Sequence, residues 1–314
     1  MIELYVLGSG SSIPNFKRFS PAQYLKIEGK NILIDCGEGT QIQLQRFGLS
    51  ILNIDYILIS HLHGDHFFGL FGLISSMLLL GRIKPLTIYA NENLIPILDN
   101  VFQDKLSGTY FPYTFVSLSY DGINKLTENN KFEVYSFPLD HSTPTCGFAI
   151  KEKLRPRNIS KKFVEQYNPS IEDIKAIKQG ADYFDKNTKK LFKNEDITID
   201  PPQPFSYVYC SDSAFKLYDF EEIKRPEYIF IESTFLNDKS DIARSKKHMT
   251  ATQAAQLANN LNAKNLIMGH FSAEYRDTCL FLLEASKIFP VDHIIIAYDG
   301  LKISYDNYKK AKKI

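Results

Sequence analysis

Four side chains able to bind a metal ion fall within six residues: His61, His63, Asp65 and His66. Zinc takes imidazole nitrogen and carboxylate oxygen as ligands. Two metal ions about 3.5–4 Å apart can stabilise both the attacking and the leaving oxygen of a phosphodiester. Such a site needs a dense cluster of histidine and aspartate, with one carboxylate shared by both ions. In an extended chain His61 and His63 point the same way, because side chains alternate along a strand. A turn at Gly64 then frees Asp65 and His66 to face a second ion. The chain holds only seven histidines, so a chance surface cluster is the weaker explanation.

The elements that position these residues share one pattern. The cluster follows Ile54–Ser60, an apolar and β-branched run expected to be a buried strand. His141 follows the strand expected over Phe132–Pro138, and Asp212 follows Tyr207–Cys210. Glu232 follows Tyr228–Ile231, and His270 follows Asn265–Met268. Taken singly, each such histidine is more often structural, and each such aspartate is more often a turn residue. A chain that already needs ligands reverses that weighting for His141 and His270, and it makes Asp212 the candidate bridging carboxylate. Clefts at strand ends are where α/β proteins place their chemistry. His293 precedes its strand, Ile294–Ala297, and receives no role.

Further strands are expected at Glu3–Leu7, Tyr24–Ile27, Asn31–Asp35, Leu86–Ala90 and Phe115–Leu118. Helices are expected at Thr40–Phe47, Phe67–Leu80, Asn93–Phe102 and Thr250–Leu261, with Thr40 and Thr250 as capping residues.

Composition narrows the class. Hydrophobic residues make up 44% of the 314 and charged residues 23%, which excludes wholesale disorder. The apolar stretch near Phe67–Leu80 is broken by Gly69 and Gly72 and is too short for a membrane span. An acid at Glu3 and a short apolar run argue against a signal peptide. Cys36, Cys146, Cys210 and Cys279 are far apart and form no C-x-x-C pair, so reduced thiols in a cytoplasmic protein are expected. Charge is uneven. Lys151–Lys193 carries twelve Lys and Arg against six Asp and Glu, a net +6 in a chain of net +1. A basic extension of that kind suits a phosphate backbone; a solvated lysine-rich loop is the plainer alternative.

With these residues in place, the chain resembles the metallo-β-lactamase superfamily and, within it, the ribonuclease Z family. The superfamily motif H-x-H-x-D-H is present as His61, His63, Asp65 and His66. The resemblance extends through Leu7–Ser11, Leu33–Gln41, Ser60–Leu70 and Gly269–Ser272. It implies an α/β protein, a four-layer αβ/βα sandwich with two mixed sheets and outer helices, forming a single domain over 1–314. The basic segment at about 151–193 would be an inserted substrate-binding arm. It implies two Zn2+ per subunit, the first held by His61, His63 and His141, the second by Asp65, His66 and His270, with Asp212 bridging. Water attacks phosphorus, and Asp65 could orient it as general base. His248 and Glu232 match a proton-donating pair for the leaving 3′ oxygen. The implied reaction removes the 3′ trailer of precursor tRNA and leaves a 3′-hydroxyl, in a cytoplasmic homodimer. The family's G-D-T reads Ser211-Asp212-Ser213 here, its H-E-A-T reads Ile231-Glu232-Ser233-Thr234, and Glu274 stands where an arginine is expected.

Two other readings keep the same fold. One is a small-molecule phosphodiesterase or other ester hydrolase, which would not need the basic segment. The other is a non-catalytic RNA-binding protein, which would not need the complete ligand set.

Overall fold

The computed structural model describes residues 2–13, 17–102 and 111–306. The chain divides into two units: Met1–Lys151 with Phe205–Tyr305, and Glu152–Pro204 with Asp306–Ile314.

The first unit is built on two seven-stranded sheets. One runs, edge to edge, Lys302–Tyr305, Ile2–Gly8, Ala22–Ile27, Lys30–Ile34, Tyr56–Leu58, Leu86–Ala90 and Tyr113–Ser117. The other runs Ile294–Ile296, Leu266–Gly269, Tyr228–Glu232, Ser206–Cys210, Thr145–Glu152, Phe132–Leu139 and Asn124–Glu128. Both are mixed. Lys30–Ile34 through Tyr113–Ser117 are parallel, as are Ser206–Cys210 through Ile294–Ile296, while other pairs are antiparallel.

Alternation along the strands assigns the layers. Leu4 and Val6 join the core between the sheets, together with Tyr207, Tyr209, Phe230 and Ile267. Tyr5 and Leu7 face the other way, into a core shared with Leu44, Leu70, Leu73, Ile74 and Met77 of the covering helices. On the second sheet Val208, Cys210, Ile229 and Ile231 turn outward to Ala254, Leu257 and Phe281. Helix, sheet, sheet and helix therefore stack as the expected sandwich. The parallel strands are apolar on both faces because both faces are covered.

Several elements depart from the sequence expectation. Phe67–Leu80 is not one helix. It is Gly64–Phe67 followed by Gly69–Leu79, because Gly69 N–H donates to Cys36 O at 2.9 Å rather than continuing the helical ladder. A Cβ on Gly69 would lie 2.0 Å from Gly37 O, so only glycine allows these two turns to meet. Gly39, with φ 84°, is the N-cap of Thr40–Arg46; Thr40 instead donates its hydroxyl to Gly37 O. Thr250 does cap Ala251–Asn260, in a capping box with Gln253. Strands Asn124–Glu128 and Lys302–Tyr305, which lack a clean apolar signal, and Thr145–Glu152, whose Cys146–Ile150 run is apolar and buried, fall outside the expected set.

The second unit has its own small core of Phe163, Ile177, Tyr183 and Ile197, with Ile159, Tyr167 and Phe192 against it. Helices Lys161–Tyr167 and Ile171–Lys178 flank it, the latter opened by a Ser170/Asp173 capping box. Two short antiparallel pairings, Asn158–Ile159 with Thr198–Ile199 and Tyr183–Asp185 with Lys190–Phe192, complete it. Lys161, Lys162, Lys175, Lys178, Lys186 and Lys189 are exposed. No helix among the described residues is long and apolar enough to cross a membrane.

Candidate metal centre

All seven candidate ligands lie in the first unit, just past the ends of its strands. They form two groups: His61, His63, His141 and Asp212, and Asp65, His66 and His270. Within each group the ligand atoms lie within 4.8 Å of one another. Asp212 spans both. Its Oδ2 is 3.8 Å from His61 Nε2 and 3.9 Å from His141 Nε2. Its Oδ1 is 3.5 Å from His66 Nε2 and 3.1 Å from His270 Nε2. Asp65 Oδ2 is 3.6 Å from each of His66 Nε2 and His270 Nε2.

The outer nitrogens explain why the inner ones converge. His66 Nδ1 donates to Asp35 Oδ2 at 2.8 Å. His141 Nδ1 donates to Lys247 O at 3.0 Å. His270 Nδ1 donates to Thr234 Oγ1 at 2.9 Å, since Thr234 gives its own proton to Glu232. Each bond leaves Nε2 with a lone pair aimed inward, as a metal-binding histidine requires. His63 is turned the other way, with Nδ1 3.2 Å from His141 Nε2.

His61 Nε2, His66 Nε2, His270 Nε2 and Asp212 Oδ1 are buried and make no hydrogen bond among the described residues. A buried polar atom without a partner costs about 1–3 kcal/mol. Four of them converging on one place fit a cation, and the donor set of imidazole and carboxylate fits zinc chemistry. Charge agrees. Burial disfavours a charged His66, yet Asp212, Asp35 and Asp65 outweigh it and hold its pKa well above the usual range. Carboxylates that favour a proton there favour a metal cation in its place. Burial pushes His61, His63 and His141 down, toward the neutral form that binds metal. Burial would raise Asp65, but His66 and His270 beside it bring its carboxyl to about 2.

Backbone strain marks the same place. Asp35 and His270 adopt left-handed φ of 56° and 61°, at roughly 1–2 kcal/mol each for a non-glycine residue. The four hydrogen bonds Asp35 accepts, from Ser60 N, Ser60 Oγ, His66 Nδ1 and Tyr209 OH, hold it there.

Glu232 and His248 are also brought together. Glu232 is fully buried, and its Oε1 lies 3.0 Å from His248 Nδ1 and accepts from Met249 N. Burial opposes the charged imidazole, but Glu232 and Asp212 raise its pKa to about 9. His248 Nδ1 is 4.0 Å from Asp212 Oδ2. With Asp212 and His270 it could form a third ligand group, but Glu232 already occupies that nitrogen. Asp35, Ser60 and Thr234 belong to the site without having been singled out as site residues. Their signal was the same one, a polar residue just past a buried strand. Glu274 pairs with Lys239 across the mouth of a cleft of about 260 Å³ that His248 lines. Arg276 lines a different cleft. His293 hydrogen-bonds Asn265.

Residues 2–153 match the family described as Anti-Pycsar protein Apyc1. Ribonuclease Z of Phocaeicola vulgatus is 36% identical over 98% of this chain and 98% of its own length. The chain belongs to the ribonuclease Z family. Human tRNase Z, short form, superposes with a TM-score of 0.69 at 24% identity, over 97% of this chain and 99% of the human one. A metallo-beta-lactamase fold protein of Bacillus subtilis does so at 0.67 and 17%, over 96% and 98%. These two likenesses carry the fold alone, which is the metallo-β-lactamase sandwich. The departures from the ribonuclease Z pattern, at Ser211, Ser213, Ile231, Ser233 and Glu274, remove no residue of the His/Asp cluster.

Proposed function

We propose that this chain is an endoribonuclease that removes the 3′ trailer of precursor tRNA, using two zinc ions. His61, His63 and His141 would hold one ion, Asp65, His66 and His270 the other, with Asp212 shared. The observation that carries this reading is the division of the Asp212 carboxylate, one oxygen toward each group. When bound, the ions supply Lewis-acid stabilisation of the charge that develops on the phosphoryl group.

The protein's own groups move the protons. Asp65 orients the attacking water and, as the new P–O bond forms, takes its proton and passes it to solvent. Its carboxyl, held near 2 and fixed by Ser12 N at 2.8 Å, accepts a hydrogen bond well but stores a proton poorly. His248 is protonated at neutral pH. Glu232 accepts from its Nδ1, which leaves Nε2–H to donate to the leaving 3′ oxygen as the P–O bond breaks. The products are tRNA ending in a 3′-hydroxyl and a trailer beginning with a 5′-phosphate. The exposed lysines of Glu152–Pro204 would bind the phosphate backbone.

Reduced thiols support a cytoplasmic location, since all four cysteines are free. A homodimer follows from the family resemblance. The small-molecule reading is less favoured, because the relatedness to ribonuclease Z runs through nearly the whole chain, the basic unit included. The deciding experiment incubates metal-loaded protein with a panel of precursor tRNAs and maps both product ends. A 3′-hydroxyl at the trailer junction is expected. No cleavage of any precursor, with a small diester still hydrolysed, overturns the tRNA assignment.

A further inference from the structure

Behind the His/Asp cluster, two serine hydroxyls from different sheets meet in the buried interior. Ser60 follows Tyr56–Leu58 of the first sheet and Ser211 follows Ser206–Cys210 of the second. Their oxygens are 2.9 Å apart, and both residues are buried. Distance alone leaves the donor open, but the neighbours decide it. Ser60 Oγ has Asp35 Oδ2 at 3.0 Å, an acceptor that also takes Tyr209 OH and His66 Nδ1. Burial, reinforced by Asp35, keeps the Tyr209 phenol protonated. Ser60 therefore spends its proton on Asp35. Its two lone pairs accept from Ser211 Oγ–H and from His61 Nδ1–H at 3.0 Å. A hydroxyl has one donor and two acceptor sites, and all three are then used.

Building on the metal reading above, we propose that Ser211 is a positioning residue for His61. Its hydroxyl fills one Ser60 lone pair and so holds the Ser60 hydroxyl in the orientation that donates to Asp35. The remaining lone pair faces His61 and selects the tautomer with Nδ1–H outward and Nε2 free toward Asp212. His66 Nδ1 reaches Asp35 directly at 2.8 Å and has Ser60 Oγ only at 3.4 Å, so it leans on this relay less than His61 does. The group containing His61 is thus tied to Asp35 through the Ser60 hydroxyl, which Ser211 of the other sheet orients, whereas His66 meets Asp35 without an intermediary.

The test uses full-length protein stripped with chelator, labelled with 15N-histidine and titrated with Zn2+. In the apo wild type, His61 should show a single Nδ1–H tautomer, and in Ser211→Ala a mixture. Zn2+ affinity read at the His61 nitrogens should fall about 10–100-fold in Ser211→Ala, with a smaller change at His66. Ser211→Thr, which keeps the hydroxyl, should restore it. In a Ser60→Ala background Ser211→Ala should have no further effect, because the relay is already cut. Melting of the apo forms identifies any variant that fails to fold; the tautomer comparison then rests on Ser60→Ala. Unchanged affinity and tautomer in Ser211→Ala, or a loss confined to His66, overturns the role of Ser211. If wild-type His61 and His66 nitrogens both ignore Zn2+, the metal reading fails, and this inference with it.

Discussion

Glu232 Oε1 lies 3.0 Å from His248 Nδ1, and the same carboxylate accepts from Met249 N and Thr234. A buried anion thus fixes both the charge and the direction of the imidazole, and Thr234 links it to His270. The proposed acid and the proposed metal group share one hydrogen-bonded frame.

Removing the acid should separate chemistry from metal binding. His248→Ala is expected to slow single-turnover cleavage about 10²–10⁴-fold while metal content by elemental analysis stays at the wild-type value. Loss of metal in this variant would reassign His248 to the third possible ligand group with Asp212 and His270.

The pH dependence follows from the direction of the His248 shift. Its folded pKa is raised to about 9, above the ordinary value for histidine of about 6.5. The charged form, which donates, is present below the folded value and is lost as pH rises through it. Cleavage should therefore fall on the alkaline side near 9, and Glu232→Gln should move that limb toward lower pH. An alkaline limb at the same pH in both proteins would argue that another group titrates.

Asp212→Ala should cost metal in both groups, whereas His61→Ala should affect one. Elemental analysis across the two variants reads the difference. Chelation of the wild type should abolish cleavage and lower the melting temperature, because a ligand at about 100 times its Kd stabilises the fold by roughly 2.7 kcal/mol. An unchanged melting temperature with full metal removal would count against a site coupled to the fold.

Gly69→Ala should destabilise the fold by at least the 1–3 kcal/mol of ordinary overpacking, about that range for inserted methylenes, because its Cβ would meet a backbone oxygen at 2.0 Å. The turn it disturbs carries His66. Urea melts should show a lowered midpoint, and metal affinity should fall with it; wild-type stability would mean the two turns can separate cheaply.

Replacing Lys161, Lys162, Lys175 and Lys178 by alanine should raise KM for precursor tRNA and flatten its salt dependence by about one unit of slope per lost phosphate contact. Hydrolysis of a small chromogenic diester should be unaffected. Equal loss on both substrates would remove the binding role of this unit.

The sequence alone determined the set of candidate ligands and where along the chain they fall. His61, His63, Asp65 and His66 are adjacent in the chain. His141, Asp212 and His270 each follow an apolar run of strand length, so a local signal located them. The sandwich was reached through the family resemblance, and the layers that Leu4–Leu7 and Tyr207–Cys210 face were read from the packing. The division of the groups came from the resemblance; tertiary structure alone decided their geometry. Which oxygen of Asp212 meets which histidine depends on how two sheets face each other, and no spacing encodes that. The same holds for Asp35 under His66, Ser211 against Ser60, and the meeting of Gly37 with Gly69. Each joins residues far apart in sequence, the first and last on the first sheet's side and the Ser211–Ser60 contact across both, so none exists before the strands are paired and packed.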